Sequence, residues 1–460
     1  MSFPEYPEYR DSDAEWLGKV PKHWKVAAIK WLSPVLRGAS PRPIDNPIYF
    51  DDDGEYGWVR IADVTASKDG QLKETTQRLS VIGASLSVKL ESGKLFLSIA
   101  GSVGKPCINR IKACIHDGFV YFPLLNIDQR LLYRIFELGS CFGGLGKMGT
   151  QLNLNTDTVG GILIAIPSGV ELGNILRFID HETAKIDTLI HEQKRLIELL
   201  QEKRQAMISH AVTKGLDPSV PMKDSGVEWL GVVPAHWDLG HLKHKWSVID
   251  CKHVTADFVD DGYPLASIRE VQSRYVDLSS AKKTTHAFYT CLIGEGRKPT
   301  LGDLIVSRNA TVGEVAEVTE DHPEFALGQD VCLLRRNSTG FEPAFLYYTM
   351  KSNFIKEQIS ALVVGSTFKR INVEQIRHLL IPTPPSQEQQ TISRYIDETN
   401  AKYYALTSEA SKGVVFLAER RSALISAAVT GKIDVRNWQP PADESAFDEE
   451  VRQAGMEATV

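Results

Sequence analysis

Ile175-Leu-Arg-Phe-Ile-Asp180, continuing through Ala184-Lys185 to Ile208-Ser-His-Ala-Val-Thr213, decides the reading of this chain, because the chain contains it twice. Moved forward by 217 residues, it lies without a gap on Ile392-Ser-Arg-Tyr-Ile-Asp397, Ala401-Lys402 and Ile425-Ser-Ala-Ala-Val-Thr430, with 17 identities in 39 positions. Composition alone gives about two or three. An internal repeat sets the architecture before any local motif does.

Both copies read as long helices. In the first, Ile179, Ile186, Leu189, Leu196, Leu200, Met207 and Ala211 recur at spacings of three, four and seven, with Ile190 and Leu199 widening the stripe and charged residues opposite. In the second, Ile396, Tyr403, Leu406, Val414, Leu417 and Leu424 fall on the matching face. Each copy opens on a capping-box pattern, Ser168-Gly-Val-Glu171 or Ser386-Gln-Glu-Gln389, and closes near a glycine suited to a left-handed cap, Gly215 or Gly431. About 40 residues at 1.5 Å rise make a rod of roughly 60 Å, which cannot bury its apolar stripe alone. The other copy is the obvious mate, in a coiled-coil-like pair. The expected seam is Ile179, Ile186, Leu189, Leu196, Leu200 and Met207 against Ile396, Leu406, Leu417 and Leu424.

A second repeat precedes the first. Asp11-Ser-Asp-Ala-Glu-Trp-Leu-Gly-Lys-Val-Pro-Lys-His-Trp24 returns as Asp224-Ser-Gly-Val-Glu-Trp-Leu-Gly-Val-Val-Pro-Ala-His-Trp237. The tryptophans are anchors, and His23 and His236, with no second ligand nearby, read as structural contacts between them. The stretches Lys30 to Pro167 and Lys243 to Pro382 diverge but keep a skeleton. Trp58-Val-Arg-Ile-Ala-Asp-Val64 resembles Leu265-Ala-Ser-Ile-Arg-Glu-Val271, and Leu95-Phe-Leu-Ser-Ile-Ala-Gly-Ser-Val-Gly104 resembles Leu304-Ile-Val-Ser-Arg-Asn-Ala-Thr-Val-Gly313. Asn155 and Asn372 also fall at equivalent places. Short β-rich runs such as Lys94 to Ile99 and Asp303 to Ser307 predict strands, and Leu131 to Leu138 and Pro343 to Ile359 predict helices. The fold class is α+β with mixed or antiparallel sheets, in the order domain 1–167, long helix 168–215, domain 216–382, long helix 383–432 and an acidic, flexible tail 433–460.

The net charge of −6 is concentrated at the end. From Ile433 onward seven acidic residues face two arginines, so the tail carries −5 and the body is close to neutral. A near-neutral body is compatible with a local basic groove. The six cysteines show no C-x-x-C spacing, so reduced, buried thiols are expected rather than disulfides or a metal site. The start is polar and the longest apolar run is far too short to span a bilayer, so a cytoplasmic protein without membrane attachment is expected.

Enzyme signatures are missing. Cys141-Phe-Gly-Gly-Leu-Gly-Lys147-Met148 has Cys where a P-loop needs its first Gly and Met where Ser or Thr must hold magnesium. There is no H-E-x-x-H, no G-x-S-x-G and no Asn/Asp-Pro-Pro-aromatic run, so no catalytic or metal-ligating residue is assigned. The divergent stretches instead carry loops with cations, amides and hydroxyls on glycine-permitted backbone. In the first these are Arg37, Ser40, Arg42, Arg60, Ser102, Lys105, Lys147, Thr150, Gln151 and Asn153. In the second they are Lys252, His253, Arg269, Ser307, Arg308, Asn309, Thr311, Thr367, Lys369, Arg370 and Asn372. Arg and Lys suit guanine O6/N7 or phosphate, and Asn and Gln suit adenine N6/N7. Singly, each loop also reads as a solvated turn, and a coiled-coil protein scaffold without DNA specificity stays open as an alternative.

The doubled Asp-Ser-x-x-Glu-Trp-Leu-Gly-x-Val-Pro-x-His-Trp segment, the Ile381-Pro-x-Pro-Pro-x-x-Glu-Gln389 approach and the Arg-aromatic-Ile-Asp helix starts resemble the specificity subunit of type I restriction–modification systems, over nearly the whole chain. One departure is the entry to the first helix, Ile166-Pro-Ser-Gly-Val-Glu171, which implies a locally different cap. The resemblance implies two pseudo-symmetric target-recognition domains separated by a pair of long antiparallel helices, each domain reading one half of a split double-stranded DNA target. It implies a non-catalytic subunit docking two modification subunits, which methylate adenine, and restriction subunits. Cofactors are then expected on those partners (S-adenosylmethionine, ATP and Mg) and none in this chain. A fused methyltransferase would need several hundred further residues and motifs that this chain lacks.

Overall fold

The structure is a computed structural model of the chain, describing residues 3–67, 69–145, 154–337, 340–362 and 370–440. Two helices of unusual length occupy the repeated stretches, Gly169–Lys214 with 46 residues and Ser386–Val429 with 44. The chain divides into two compact units, residues 1–192 with 413–460 and residues 193–412. Where the sequence reading sets the helices apart as segments of their own, the structure divides each helix between the two units.

In the first unit, a hairpin of Tyr9–Asp11 and Lys19–Pro21 precedes Lys25–Ala28, which pairs antiparallel with Leu163–Ile166 immediately before the first long helix. A five-stranded sheet orders Leu36–Arg37, Phe119–Tyr121, Leu95–Ser98, Pro106–Asn109 and Gln71–Leu72; a four-stranded one orders Gln77–Leu79, Tyr56–Val59, Ala113–Ile115 and Val88–Leu90. Both are mixed, because Gln71–Leu72 and Tyr56–Val59 pair parallel with their neighbours. The second unit repeats the plan. Its hairpin is Met222–Asp224 with Val232–Pro234, Asp238–His241 pairs with Leu380–Thr383 ahead of the second long helix, and two four-stranded sheets follow. The predicted helix from Pro343 to Ile359 is two, Pro343–Lys351 and Asn353–Leu362, because Ser352 takes an extended conformation.

Each unit closes its core with both long helices. In the first, Trp24, Phe136, Ile175 and Ile179 pack in one cluster with Ile425, Ala428 and Val429. In the second, Trp237, Phe345, Ile392 and Ile396 pack with Ile208, Ala211 and Val212. Burying each such side chain contributes about 1.5–3 kcal/mol. The helices run antiparallel within each unit. In the first, Asn174 donates to the Arg436 carbonyl (2.8 Å), while Arg421 Nε lies 2.8 Å from Asp187 Oδ1. In the second, the Arg204 guanidinium sits over the Tyr404 ring at 4.7 Å, and Gly215 approaches Glu388. The contact of 187 with 421 maps under the 217-residue repeat onto that of 404 with 204, an ion pair replaced by a cation–π contact.

The seam differs from its expected composition. Buried or half-buried positions of the first helix fall at 186, 190, 193, 197, 200, 204 and 207, and those of the second at 396, 400, 403, 407, 410, 414, 417, 421 and 424. Apart from 205, 399 and 413, which are also half-buried, these positions follow a four–three alternation, the narrow stripe of a heptad. Ile179, Ile186 and Ile396 are buried, and Leu200, Met207, Leu417 and Leu424 half-buried, as expected. Leu189, Leu196 and Leu406 are 51%, 43% and 54% exposed. Each stands one residue, about 100° of rotation, before a seam position, so the apolar face is wider than the stripe the pair covers.

The doubled Trp-Pro-His-Trp segment holds the foot of each long helix. Glu171, 4% exposed, accepts from Tyr6 Oη at 2.8 Å and Trp24 Nε1 at 2.9 Å, with His23 Nε2 2.9 Å away. One repeat later, Glu388 accepts from Trp237 Nε1 at 3.0 Å, with His236 Nε2 at 2.8 Å. The histidines therefore face a helix carboxylate rather than lying between two tryptophans. The capping boxes are correspondingly altered. Ser168 Oγ accepts the Glu171 amide at 3.4 Å, but the Glu171 side chain serves the aromatic donors; Gln389 turns away to accept the Glu342 amide at 2.9 Å. The start of the acidic tail is packed, contrary to expectation. The Asp434 amide donates to the Pro4 carbonyl at 2.7 Å, Val435 is buried, and Trp438 meets Phe178 edge-on; 441–460 lie outside the described residues.

Candidate nucleic-acid interface

Each unit carries the same loop frame. In the first, Ser98 Oγ donates to the Ala100 carbonyl at 2.8 Å, and the Gly104 amide donates to the Ser98 carbonyl at 2.8 Å. In the second, Ser307 Oγ donates to the Asn309 carbonyl and the Gly313 amide to the Ser307 carbonyl, both at 3.0 Å. Gly101 and Ala310 hold the same left-handed position, φ 64° and 56°, a conformation that costs a non-glycine residue about 1–2 kcal/mol. A second loop matches too: the Arg60 amide donates to Asp63 Oδ2 and the Ser267 amide to Glu270 Oε2, both at 2.8 Å, and the two acids are buried. Ser102 lies 3.2 Å from the Thr65 hydroxyl, while Thr311 accepts from Gln272 at 3.0 Å. In each loop a buried carboxylate holds the backbone amide three residues before it, so the two units share this part of the frame whatever side chains they display.

In the first unit the frame borders a cleft lined by Trp58, Arg60, Gln77, His116, Asp117 and Ser40, among others. Asp117 gathers the predicted cations. Ser40 Oγ donates to its carboxylate at 3.0 Å and Arg42 at 3.2 Å, and Arg37 Nε donates to its carbonyl. Although burial alone would raise it, the Ser40 hydrogen bond and the Arg37 charge hold the Asp117 carboxyl below the usual range. Arg60 donates to Gln77 Oε1. His116 accepts the Gly118 amide at Nδ1, 2.8 Å, and burial pushes its pKa down, so it is a neutral ring with hydrogen on Nε2. Lys105 stands apart, donating to the Thr65 carbonyl at 3.2 Å beside Ser102. Gln77, His116 and Asp117 are absent from the sequence-predicted set. Only the register of Trp58 opposite Gln77 and beside Cys114 brings them together.

In the second unit several predicted contacts are structural. Ser307 is fully buried, and Arg308, 2% exposed, pairs with Asp250. Asn372 caps the helix Val373–Arg377, as Asn155 caps Thr156–Gly161. Their recurrence is accounted for by the need of a helix start for a side-chain acceptor. Asn309 donates to Asp330 and bridges to the exposed Arg370. Lys252, His253 and Arg269 lie at the surface near Glu295, Asp250 and Glu270, at 3.7, 3.4 and 3.9 Å. Lys147, Thr150, Gln151, Asn153, Thr367 and Lys369 lie outside the described residues.

The cysteines are free thiols, and all but Cys291 are buried. Asp250, Cys251 and His253 bring one ligand atom each within 4.8 Å of one another, but Asp250 is engaged by Arg308 and the Cys251 thiol donates to the Gln329 carbonyl at 3.0 Å. Among the described residues no helix is long and apolar enough to cross a membrane.

With the geometry in place, comparison with known proteins is specific. Residues 274–412 match the family model described as type I restriction modification DNA specificity domain. The chain is 28% identical over 206 residues to the putative type I restriction enzyme MjaX specificity subunit of Methanocaldococcus jannaschii, covering 40% of this chain and 46%, under half, of that relative. It is 22% identical over 430 residues to the MjaVIII specificity subunit of the same organism, covering 91% of this chain and 95% of the relative. A solved chain of a type I R-M system, described for complex assembly and conformational transition, superposes with a TM-score of 0.66 at 15% identity, covering 89% of this chain and 98% of that one. At that identity the superposition speaks to the fold. Helix pair, doubled frame and sequence relatives agree: residues 274–412 match the DNA specificity domain of type I restriction–modification systems, and over nearly its whole length the chain is similar to their specificity subunits.

Proposed function

We propose that this chain selects a bipartite site on double-stranded DNA, each unit reading one half-site, and docks adenine methyltransferase (modification) subunits and restriction subunits. One observation carries the reading: an identical hydrogen-bonded frame occurs twice and displays different side chains each time. A frame duplicated for stability alone has no need of two surfaces, whereas a reader of two unlike sequences does. The four–three spacing along both long helices supports a spacer of fixed length between the half-sites. The apolar residues left outside the seam, among them Leu189, Leu196, Leu199, Leu406 and Phe416, supply a face for modification subunits. S-adenosylmethionine, ATP and Mg then belong to those partners, and this chain performs no chemistry itself.

Exchange of residues 30–167 for the corresponding stretch of another specificity subunit tests this. Methylated adenines are mapped in cells expressing the chimera with its modification subunit. The expected result is one changed half-site and one retained at the same spacing. A chimera that alters both, or neither, refutes the division of labour; an unmethylated genome with the parental chain favours a protein scaffold.

A further inference from the structure

The strand register makes the first unit's cleft comparable, position by position, with the matching surface of the second unit. Trp58 stands opposite Gln77 and beside Cys114; Leu265 donates its amide to the Lys282 carbonyl and stands beside Ala326. Continuing along each strand, Arg60 corresponds to Ser267, Gln77 to Lys282, His116 to Gly328 and Asp117 to Gln329. The frame beneath is the same and every one of these four differs. Four differences at matched positions above a shared hydrogen-bonded frame mark a place where the two units do different work.

From this cleft we infer that Arg60, Gln77 and His116 are specificity-determining residues of the first unit and that they read a guanine by its O6/N7 edge, an assignment that rests on the DNA-reading role proposed above. The chemistry is one-sided. Arg60 occupies Gln77 Oε1, so Gln77 presents its amide N–H groups outward. His116 accepts a backbone amide at Nδ1, so its Nε2 carries a hydrogen, and no group among the described residues accepts it. Arg60 retains further N–H donors. Three neighbouring donors match guanine, the base whose major-groove edge offers two adjacent acceptors and no donor there. A phosphate would also accept them, but Asp117 lines the same cleft and its charge opposes one. Asp117 is a positioning residue, holding Ser40 and Arg42 at the cleft mouth.

The test is selection of a random duplex DNA library by the full-length chain with its modification subunits, sequencing what is retained. The parental chain is expected to enrich a two-part motif containing a guanine whose preference falls roughly 10- to 100-fold in Arg60→Lys and in Gln77→Leu, the other half-site being unchanged. Arg60→Lys keeps the charge but not the fork, so a phosphate contact would leave the motif intact and overturn the assignment. The protein-independent arm replaces that guanine by 7-deazaguanine, which lacks the N7 acceptor. Parental binding should then fall about tenfold or more, and undiminished binding overturns the assignment even where a variant has lost its fold. A parental chain that enriches no motif removes the DNA-reading role as well; an intact motif indifferent to both variants and to 7-deazaguanine removes this inference alone.

Discussion

Glu171→Ala is the most exacting perturbation of the architecture, because the repeat supplies its own control in Glu388→Ala. Glu171 is buried and accepts from two donors, Tyr6 Oη and Trp24 Nε1, that are themselves 4% and 1% exposed. Each would be left without a partner, at about 1–3 kcal/mol apiece, and the half-exposed His23 adds little. The expected loss is about 3–5 kcal/mol at the foot of the first helix. Glu388 is 29% exposed on its side chain and has one buried donor, Trp237, with a 41% exposed His236, so Glu388→Ala should cost about 1–2 kcal/mol. Amide hydrogen exchange followed by mass spectrometry reads the two feet separately, in peptides spanning 172–182 and 389–399. At 1.4 kcal/mol per decade, exchange should accelerate by two to three orders of magnitude at the first foot and by about tenfold at the second. Equal acceleration at both, or less than tenfold at the first, would refute the claim that donor burial sets the cost.

Three further outcomes follow from the geometry. Ala310→Gly should raise thermal stability by up to about 1 kcal/mol by relieving a left-handed φ, whereas Gly101→Ala should lower it by about 1–2 kcal/mol, since the new methyl also meets Ile61 at 3.1 Å. Double-mutant cycles should give about 0.5–1 kcal/mol for Arg421 with Asp187 and for Arg204 with Tyr404, with only the first falling steeply as salt rises from 0.05 to about 0.5 M. His116 is depressed in the folded protein by burial, so its contribution to stability is complete above its ordinary value of about 6.5 and is lost as pH falls through the folded pKa. Unfolding curves between pH 8 and 5 should lose that part of their slope in His116→Gln, and an unchanged slope would contradict the buried, neutral ring.

The long helices were legible because 17 matches over 39 ungapped positions admit no other explanation, and the α+β class followed from runs such as Leu95–Ser98 and Leu304–Ser307. Seam composition was not legible. Leu189 and Leu196 satisfy helical periodicity as well as Ile190 and Ile197 do, and a difference of one residue in rotation is invisible until a partner helix fixes which stripe is covered. Among the candidate residues, Arg37, Ser40 and Arg42 gather on Asp117 beside Arg60, a grouping the sequence did not show, whereas Arg308 and Asn372 are drawn into the scaffold. A sequence shows that an arginine or asparagine can donate, not whether Asp250 or a helix start already claims it.

The sequence by itself determined the covalent facts of this protein: two copies of one helix, two copies of one Trp-Pro-His-Trp segment, and two unlike fillings between them. Those are properties of the order of residues, and comparison within the chain is enough to read them. Only the tertiary structure decided which carboxylate each His and Trp serves, which half of each helix completes which unit, and that Gln77 and His116 share a cleft with Arg60. Strand register and helix rotation bring distant residues within hydrogen-bonding range, and these arise from packing the whole fold, where a shift of one position moves a side chain to the opposite face.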